Sequence, residues 1–170
     1  MLARALAIAV LAGATVLVGV APAQAKTETK TLVFAVDLTS QGTTLTTLPG
    51  DITYGWNDLR GPTKWGAKNA QMRFLGSVDY VSGTGPFGGF VTVTRSDGTQ
   101  LAMSVSGWAT APSGQAGTAN ASFAGTVSVI GGSGPYAGAT GMGTMSGYRK
   151  AALGSPVQLT FSVTVERRTK

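Results

Sequence analysis

The feature that most constrains this chain is a hydrophobic period of two, which recurs in segment after segment between clusters of Gly, Pro, Ser and Asp. Leu32, Phe34, Val36 and Leu38 alternate with Thr31, Asp37 and Thr39. The same spacing links Met72, Phe74, Val78 and Tyr80, then Leu101, Met103 and Val105, and finally Leu159, Phe161, Val163 and Val165. Successive side chains of a strand point to opposite faces, so this pattern describes strands with one buried face. After residue 26 no window carries the 3.6-residue period of an amphipathic helix, because Gly and β-branched residues fill the positions a helix would need. The chain is therefore all-β. Ser96-Asp97-Gly98-Thr99 joins two of the runs, and Asp-Gly at the centre of a short loop tolerates the positive φ of a tight hairpin. Residues 50–70, with Trp56, Arg60, Pro62, Lys64 and Trp65, are the least regular and read as a long loop or an irregular strand pair, a place where function often sits.

A near-repeat organises the middle of the chain. Phe74-Leu75-Gly76-Ser77-Val78 with Gly83-Thr84-Gly85-Pro86-Phe87-Gly88-Gly89 returns 49 residues later as Phe123-Ala124-Gly125-Thr126-Val127 with Gly132-Ser133-Gly134-Pro135-Tyr136-Ala137-Gly138. Two copies suggest a sheet built from two similar hairpin units. Two are too few for a solenoid, and a closed barrel accounts for them better, since closure removes edges that a Thr- and Val-rich sheet would offer to other chains. The inward set expected is Phe34, Phe74, Met103, Phe123, Met142 and Phe161.

Residues 1–25 read as a signal peptide: Arg4 precedes an apolar run that ends at Val20, and Ala23-Gln24-Ala25 supplies an A-x-A cleavage site. The run is shorter than the roughly 20 residues a membrane-spanning helix needs. A secreted protein beginning at Lys26 is expected, with one barrel domain over residues 26–170 and no transmembrane segment in the mature form.

Composition removes several kinds of chemistry. The chain has 0 His and 0 Cys, which excludes disulfides, thiol nucleophiles, Ser-His-Asp arrangements and the commonest metal ligands. No metal and no cofactor are expected. The formal net charge of +6 falls by one when Arg4 leaves with the signal peptide. The cations are dispersed and lack the aromatic interleaving that tracks a nucleic-acid strand, so solubility, or attraction to an anionic envelope surface, is preferred to nucleic-acid binding.

Gly83-Thr84-Gly85-Pro86-Phe87-Gly88 satisfies G-x-G-x-x-G, but a strand follows it where a dinucleotide site needs a helix, so no nucleotide is implied. No spacing among Asp37, Asp51, Asp58, Asp79, Asp97 and Glu166 selects a glycosidase pair, and Asp97 is taken up by its turn. Arg73 and Asp79 share one strand face; they would anchor a ligand if that face lined a cavity and be surface charges otherwise. Trp56, Trp65, Trp108, Phe87 and Tyr136 are core or barrel-mouth packing, or a stacking surface. Asn120-Ala121-Ser122 fits a glycosylation sequon.

Residues 127–141, Val-Ser-Val-Ile-Gly-Gly-Ser-Gly-Pro-Tyr-Ala-Gly-Ala-Thr-Gly, resemble the G-G-[ST]-G-x-[FY] signature of plant allene oxide cyclases and dirigent proteins, and more closely their secreted bacterial allene-oxide-cyclase-barrel-like relatives. The likeness covers the last third of the chain, reaches Phe74 weakly through the repeat and has no counterpart in the first third. It implies an eight-stranded antiparallel β-barrel with an interior cavity and a glycine-rich bend at this motif. Dirigent proteins usually carry a functional Arg after the third glycine, where this chain has Pro135, so the resemblance implies architecture more than reaction.

Three functions remain open: a binder of a small, largely apolar molecule; a cyclase or isomerase that works by holding a flexible substrate in a reactive shape; and a ligand-free envelope or surface protein. The ligand-binding residues expected are Trp108, Tyr136 and Phe87 at the mouth, with Arg73 and Asp79 as polar anchors. The expected partner is a small apolar molecule, and a homo-oligomer is compatible with the sequence.

Overall fold

Eight strands follow one another along the chain: β1 Lys26–Leu48, β2 Ile52–Trp65, β3 Lys68–Val81, β4 Gly85–Arg95, β5 Gln100–Thr110, β6 Ala121–Gly132, β7 Thr140–Arg149 and β8 Val157–Thr169. The computed structural model describes residues 26–112, 121–150 and 155–169; the expected signal peptide and Asn120 of the sequon lie outside them. Each strand pairs antiparallel with its neighbours, and β1 pairs with β8 to close the barrel, in register from Lys26 opposite Thr169 to Leu38 opposite Val157. The all-β, eight-stranded antiparallel barrel expected from the alternation is the fold of this chain.

The alternation dictates what is inside. Leu32, Phe34, Val36 and Leu38 of β1 and Leu159, Phe161, Val163 and Val165 of β8 point inward and are buried, while Thr31, Asp37, Thr160, Ser162 and Thr164 face solvent. On these two strands the large apolar residues other than Val33 face inward, whereas the apolar band of a membrane-spanning barrel faces lipid.

The two ends differ. At one, the start of β1 and the end of β8 meet the β2–β3 and β4–β5 turns and a short 3-10 turn, Gly134–Tyr136, between β6 and β7. Trp65, only 4% exposed, packs edge-on against Phe34 at 5.7 Å between ring centroids and tilts against Tyr136 at 4.9 Å. The Arg95 guanidinium lies 5.4 Å from the Trp65 ring centroid and that of Arg167 lies 4.9 Å from the Tyr136 centroid, and Arg167 pairs with Glu28 at 2.8 Å. Aromatic pairs add about 0.5–1.5 kcal/mol each beyond area burial, so this plug is a strong closure. At the opposite end lie the β1–β2, β3–β4, β5–β6 and β7–β8 connections.

Three sequence expectations need correction. Of the two readings of residues 50–70 the strand pair holds and the long loop does not: β2 runs to Trp65 and pairs in unbroken register with β3, from Ile52 opposite Val81 to Trp65 opposite Lys68. Its inward positions, Thr53, Gly55, Asn57, Leu59, Gly61 and Thr63, are small or polar apart from Leu59, which hid the period; Thr63 is accommodated in the interior because its hydroxyl donates to the Ala35 carbonyl at 2.8 Å. The near-repeat is not a structural repeat either. Its copies sit on β3–β4 and β6–β7, three strands apart, so they run in opposite directions and place Phe87 and Tyr136 at opposite ends. Met142, expected inside, is 74% exposed, whereas Met145 of the opposite parity is buried.

The inward face of β7 carries glycines for a steric reason. A Cβ at Gly143 would stand 2.1 Å from the Ser162 carbonyl oxygen, and one at Gly147 would stand 2.0 Å from that of Gln158. At these positions the backbones of β7 and β8 approach too closely for a Cβ, and such approach permits the coil of a small barrel.

Candidate functional site

Toward the end opposite the plug, the inward side chains thin out. Gly55 and Asn57 on β2, Gly76 on β3, Gly107 on β5, Gly125 on β6 and Gly147 on β7 replace the bulky residues of the plugged half. The space left is a cavity of about 90 Å³. Its wall is mainly apolar: Leu59, Phe74, Val78, Phe87, Phe123, Met145, Val157 and Leu159. Phe87 and Phe123 meet edge to face at 5.9 Å and 79°, and Phe87 lies over Gly107, where a Cβ would stand 2.4 Å from its ring.

A few polar groups interrupt this wall. Ser40 donates to Asn57 Oδ1 at 2.6 Å, which orients the amide at the rim. Thr53, Tyr80 and Arg149 also line the space, and Arg149 is only 8% exposed. Burial pushes the Tyr80 phenol well above its ordinary pKa, the nearby Arg149 charge opposing this, so the hydroxyl keeps its proton. Burial also pulls the Arg149 pKa down, against an opposing contribution from Tyr80; an arginine so shifted is still charged. Among the described lining residues there is no Asp or Glu. The arrangement can enclose a small apolar body, donate hydrogen bonds to it and present one positive charge; no lining group titrates near neutrality to take up a proton.

The five residues expected at the site are scattered. Phe87 lines the cavity. Tyr136 is buried in the plug at the other end. Trp108 stands on the outer face of β5, opposite Pro86 and 54% exposed, because the inward positions of that strand are Leu101, Met103, Val105, Gly107 and Ala109. Arg73 and Asp79 share a face of β3, as expected, and it is the outer one. Arg73 hydrogen-bonds both oxygens of Asp58, at 3.0 and 2.9 Å, and Arg60 holds the same carboxylate at 3.1 and 2.8 Å. These bonds hold the Asp58 carboxyl far below the usual carboxylate range. Asp79 is exposed.

Sequence reasoning missed Asn57, Leu59, Met145 and Arg149 as cavity residues, and named Tyr80 on an inward face without assigning it to the site. For Arg149 the signal was parity: it lies two steps of two beyond Met145 on one face of β7. Choosing Met142 in place of Met145 concealed it. Among the described residues, no group of three or more His, Cys, Asp or Glu side chains is placed to hold a metal ion.

No protein-family model matches the chain, and no curated protein is significantly similar to it. Among solved structures, it is similar to a pterocarpan synthase dirigent protein, GePTS1, with a TM-score of 0.51 and 14% identity over 85% of this chain and 93% of that one. A second pterocarpan synthase dirigent protein, PsPTS1, aligns with a TM-score of 0.46 and 14% identity over 85% of this chain and 97% of that one. The likeness to GePTS1 establishes a dirigent-like barrel fold for this chain.

Proposed function

We propose that this protein is an exported barrel that holds a small, largely apolar molecule in the cavity opposite the plug. The observation that carries the reading is the asymmetry of the interior: aromatic and cationic side chains fill one end, while Phe74, Phe87, Phe123 and Met145 surround about 90 Å³ of space at the other. Binding sites are commonly concave, apolar and sparingly polar. This space is far smaller than the roughly 300 Å³ at which drug-sized pockets begin, and closer to the engineered cavity of about 150 Å³ that accepts benzene. The fitting ligand is a single ring or a short chain.

The test is a size series, benzene, toluene, indole and naphthalene, followed by calorimetry or ligand-observed NMR. One-ring molecules should bind and the larger ones should not, and Val78→Phe, which fills the cavity, should abolish binding without lowering Tm. If no member binds up to about a millimolar, where association is worth only about 4 kcal/mol, the reading fails in favour of a filled structural barrel. Export is tested separately: mass spectrometry of protein recovered outside the producing cell should give a chain starting at Lys26, and an intact Met1 would refute it.

A second reading, a cyclase or isomerase that shapes its substrate, is favoured by one observation: a guanidinium and a phenol, Arg149 and Tyr80, line the same apolar space. Such groups could steer charge in a substrate held in a reactive shape. Turnover of a bound ligand, absent in Arg149→Gln, would distinguish this from simple binding.

A further inference from the structure

We propose that the outer face of β2–β5 docks an acidic polysaccharide, a sugar polymer bearing carboxylates, with Trp56 and Phe90 stacking on its rings and Arg60 and Arg73 receiving its charge. The surface is separate from the cavity, and the proposal stands whether or not the cavity holds a ligand.

The register of the barrel wall assembles this face. The outward residues Trp56, Asp58 and Arg60 of β2 stand opposite Ser77, Leu75 and Arg73 of β3. Leu75 and Ser77 stand in turn opposite Phe90 and Gly88 of β4, which face Ser104 and Ser106 of β5. Trp56 is 48% exposed and Phe90 60%. With strands about 4.8 Å apart and alternate residues about 6.8 Å apart, these two positions are separated by about 12 Å along the wall. One sugar ring does not span that distance, and a short run of a polymer does. Only Leu75, Ser77 and Gly88 lie between them, so the floor is low and each ring is open to an apolar C–H face of a sugar.

The adjoining row carries the charge. Arg60 and Arg73 hold the one Asp58 carboxylate between them, at 2.8 and 2.9 Å, and two cations against one anion leave a net positive charge. Both side chains remain about half exposed, and a guanidinium presents a planar fork of donors matched to a carboxylate. Gln71, Thr92, Thr94 and Gln100 line a shallow hollow with these arginines and add hydrogen-bonding groups. The chain's formal net charge of +6 draws a polyanion from a distance at low ionic strength.

The polar residues among the rings select this occupant over a lipid surface or a second copy of the chain. Ser77, Ser104 and Ser106 are interspersed with the aromatic positions, and exposed Asp79 stands opposite Tyr54 on the same face. Ser and Asp are depleted where proteins meet, and lipid would leave such groups without partners, whereas sugar hydroxyls satisfy both.

The test is calorimetry of the chain from Lys26 onward, at pH 7, with polygalacturonate, its methyl ester and linear polyphosphate. Polygalacturonate should bind, and more weakly as salt is added. The ester, which keeps the rings without the charge, and polyphosphate, which keeps charge without rings, should each bind about tenfold or more weakly. Trp56→Ala and Phe90→Ala should each lower the affinity for polygalacturonate about tenfold and leave Tm level, since both side chains lie outside the core. Arg73→Gln should remove the preference for polygalacturonate over its ester; should that variant fail to fold, the two polymers on the wild type still decide the role of charge. The proposal is overturned if the ester or polyphosphate binds as tightly as polygalacturonate, or if Trp56→Ala binds like the wild type. It is equally overturned if polygalacturonate does not bind up to about a millimolar in sugar units. Adsorption to anionic phospholipid vesicles without polygalacturonate binding would overturn it in favour of a membrane. A dimer lost in Trp56→Ala, again without polygalacturonate binding, would overturn it in favour of a second copy.

Discussion

Asp58 shows how this barrel uses charge on its outer surface. Arg60 and Arg73 stand directly opposite each other on β2 and β3, and the carboxylate between them accepts from both. Two like charges in that register repel, so Asp58 converts a repulsion into a cluster. Its folded pKa is depressed below that of the unfolded chain. The stabilisation is therefore complete above about pH 5 and is lost as pH falls through and below the ordinary carboxylate value of about 4. Asp58→Asn should melt below wild type at pH 7, and the gap should hold down to about pH 4 and then shrink steadily as the solution is acidified further; a gap constant with pH would show that the charge cluster is not its cause. Glycines separate in the same way by their surroundings. Gly143→Ala drives a Cβ against the backbone of β8 and should cost roughly 3 kcal/mol. Gly138 has a φ of +69° with nothing within 4 Å of a Cβ, so Gly138→Ala should cost only the left-handed penalty, roughly 1 kcal/mol. Equal losses in urea melts would contradict this division between clash and torsion.

At the scale of the element, parity decides almost everything, and parity is where the sequence was both most and least legible. β1 and β8 alternate large apolar with polar residues, so their inward faces could be read directly. β2 could not be read, because Gly, Asn and Thr occupy inward positions that a hydrophobic pattern leaves blank. β7 offered Met142 and Met145 three apart, of opposite parity, with glycines on one side to break the choice only once their contacts with β8 are known. The Asp97-Gly98 hairpin was legible because its chemistry is local: Asp97 accepts from the Thr99 amide at 3.1 Å and from Arg95 at 2.9 Å. The near-repeat misled because similar residues on strands three apart run in opposite directions, which sequence alone does not reveal. These assignments predict a contrast between two tryptophans. Trp65→Ala should remove the centre of the plug and cost about 3–5 kcal/mol, whereas Trp108→Ala, on the outer face, should change stability by less than about 0.5 kcal/mol and leave cavity binding intact. Chemical denaturation of both variants, with unchanged m values, checks the pair.

For the whole molecule, closure and asymmetry are the two properties that matter. Closure joins the first described residue to the last, Lys26 opposite Thr169, so the barrel cannot finish folding until β1 and β8 meet. Folds dominated by such distant pairings refold in roughly milliseconds to seconds, and stopped-flow refolding far into the microsecond range would contradict the closed topology. Asymmetry gives the barrel one filled end and one hollow end, and the account of function depends on it. The most direct measurement is methyl NMR of the methionines while toluene is added. Met145 lines the cavity, Met72 and Met103 are buried in the core without lining it, and Met142 faces solvent on the outer surface. The Met145 methyl should shift and saturate while those of Met103 and Met142 hold still. A stationary Met145 signal, or a shift confined to Met142, would contradict a ligand-holding cavity at this end of the barrel.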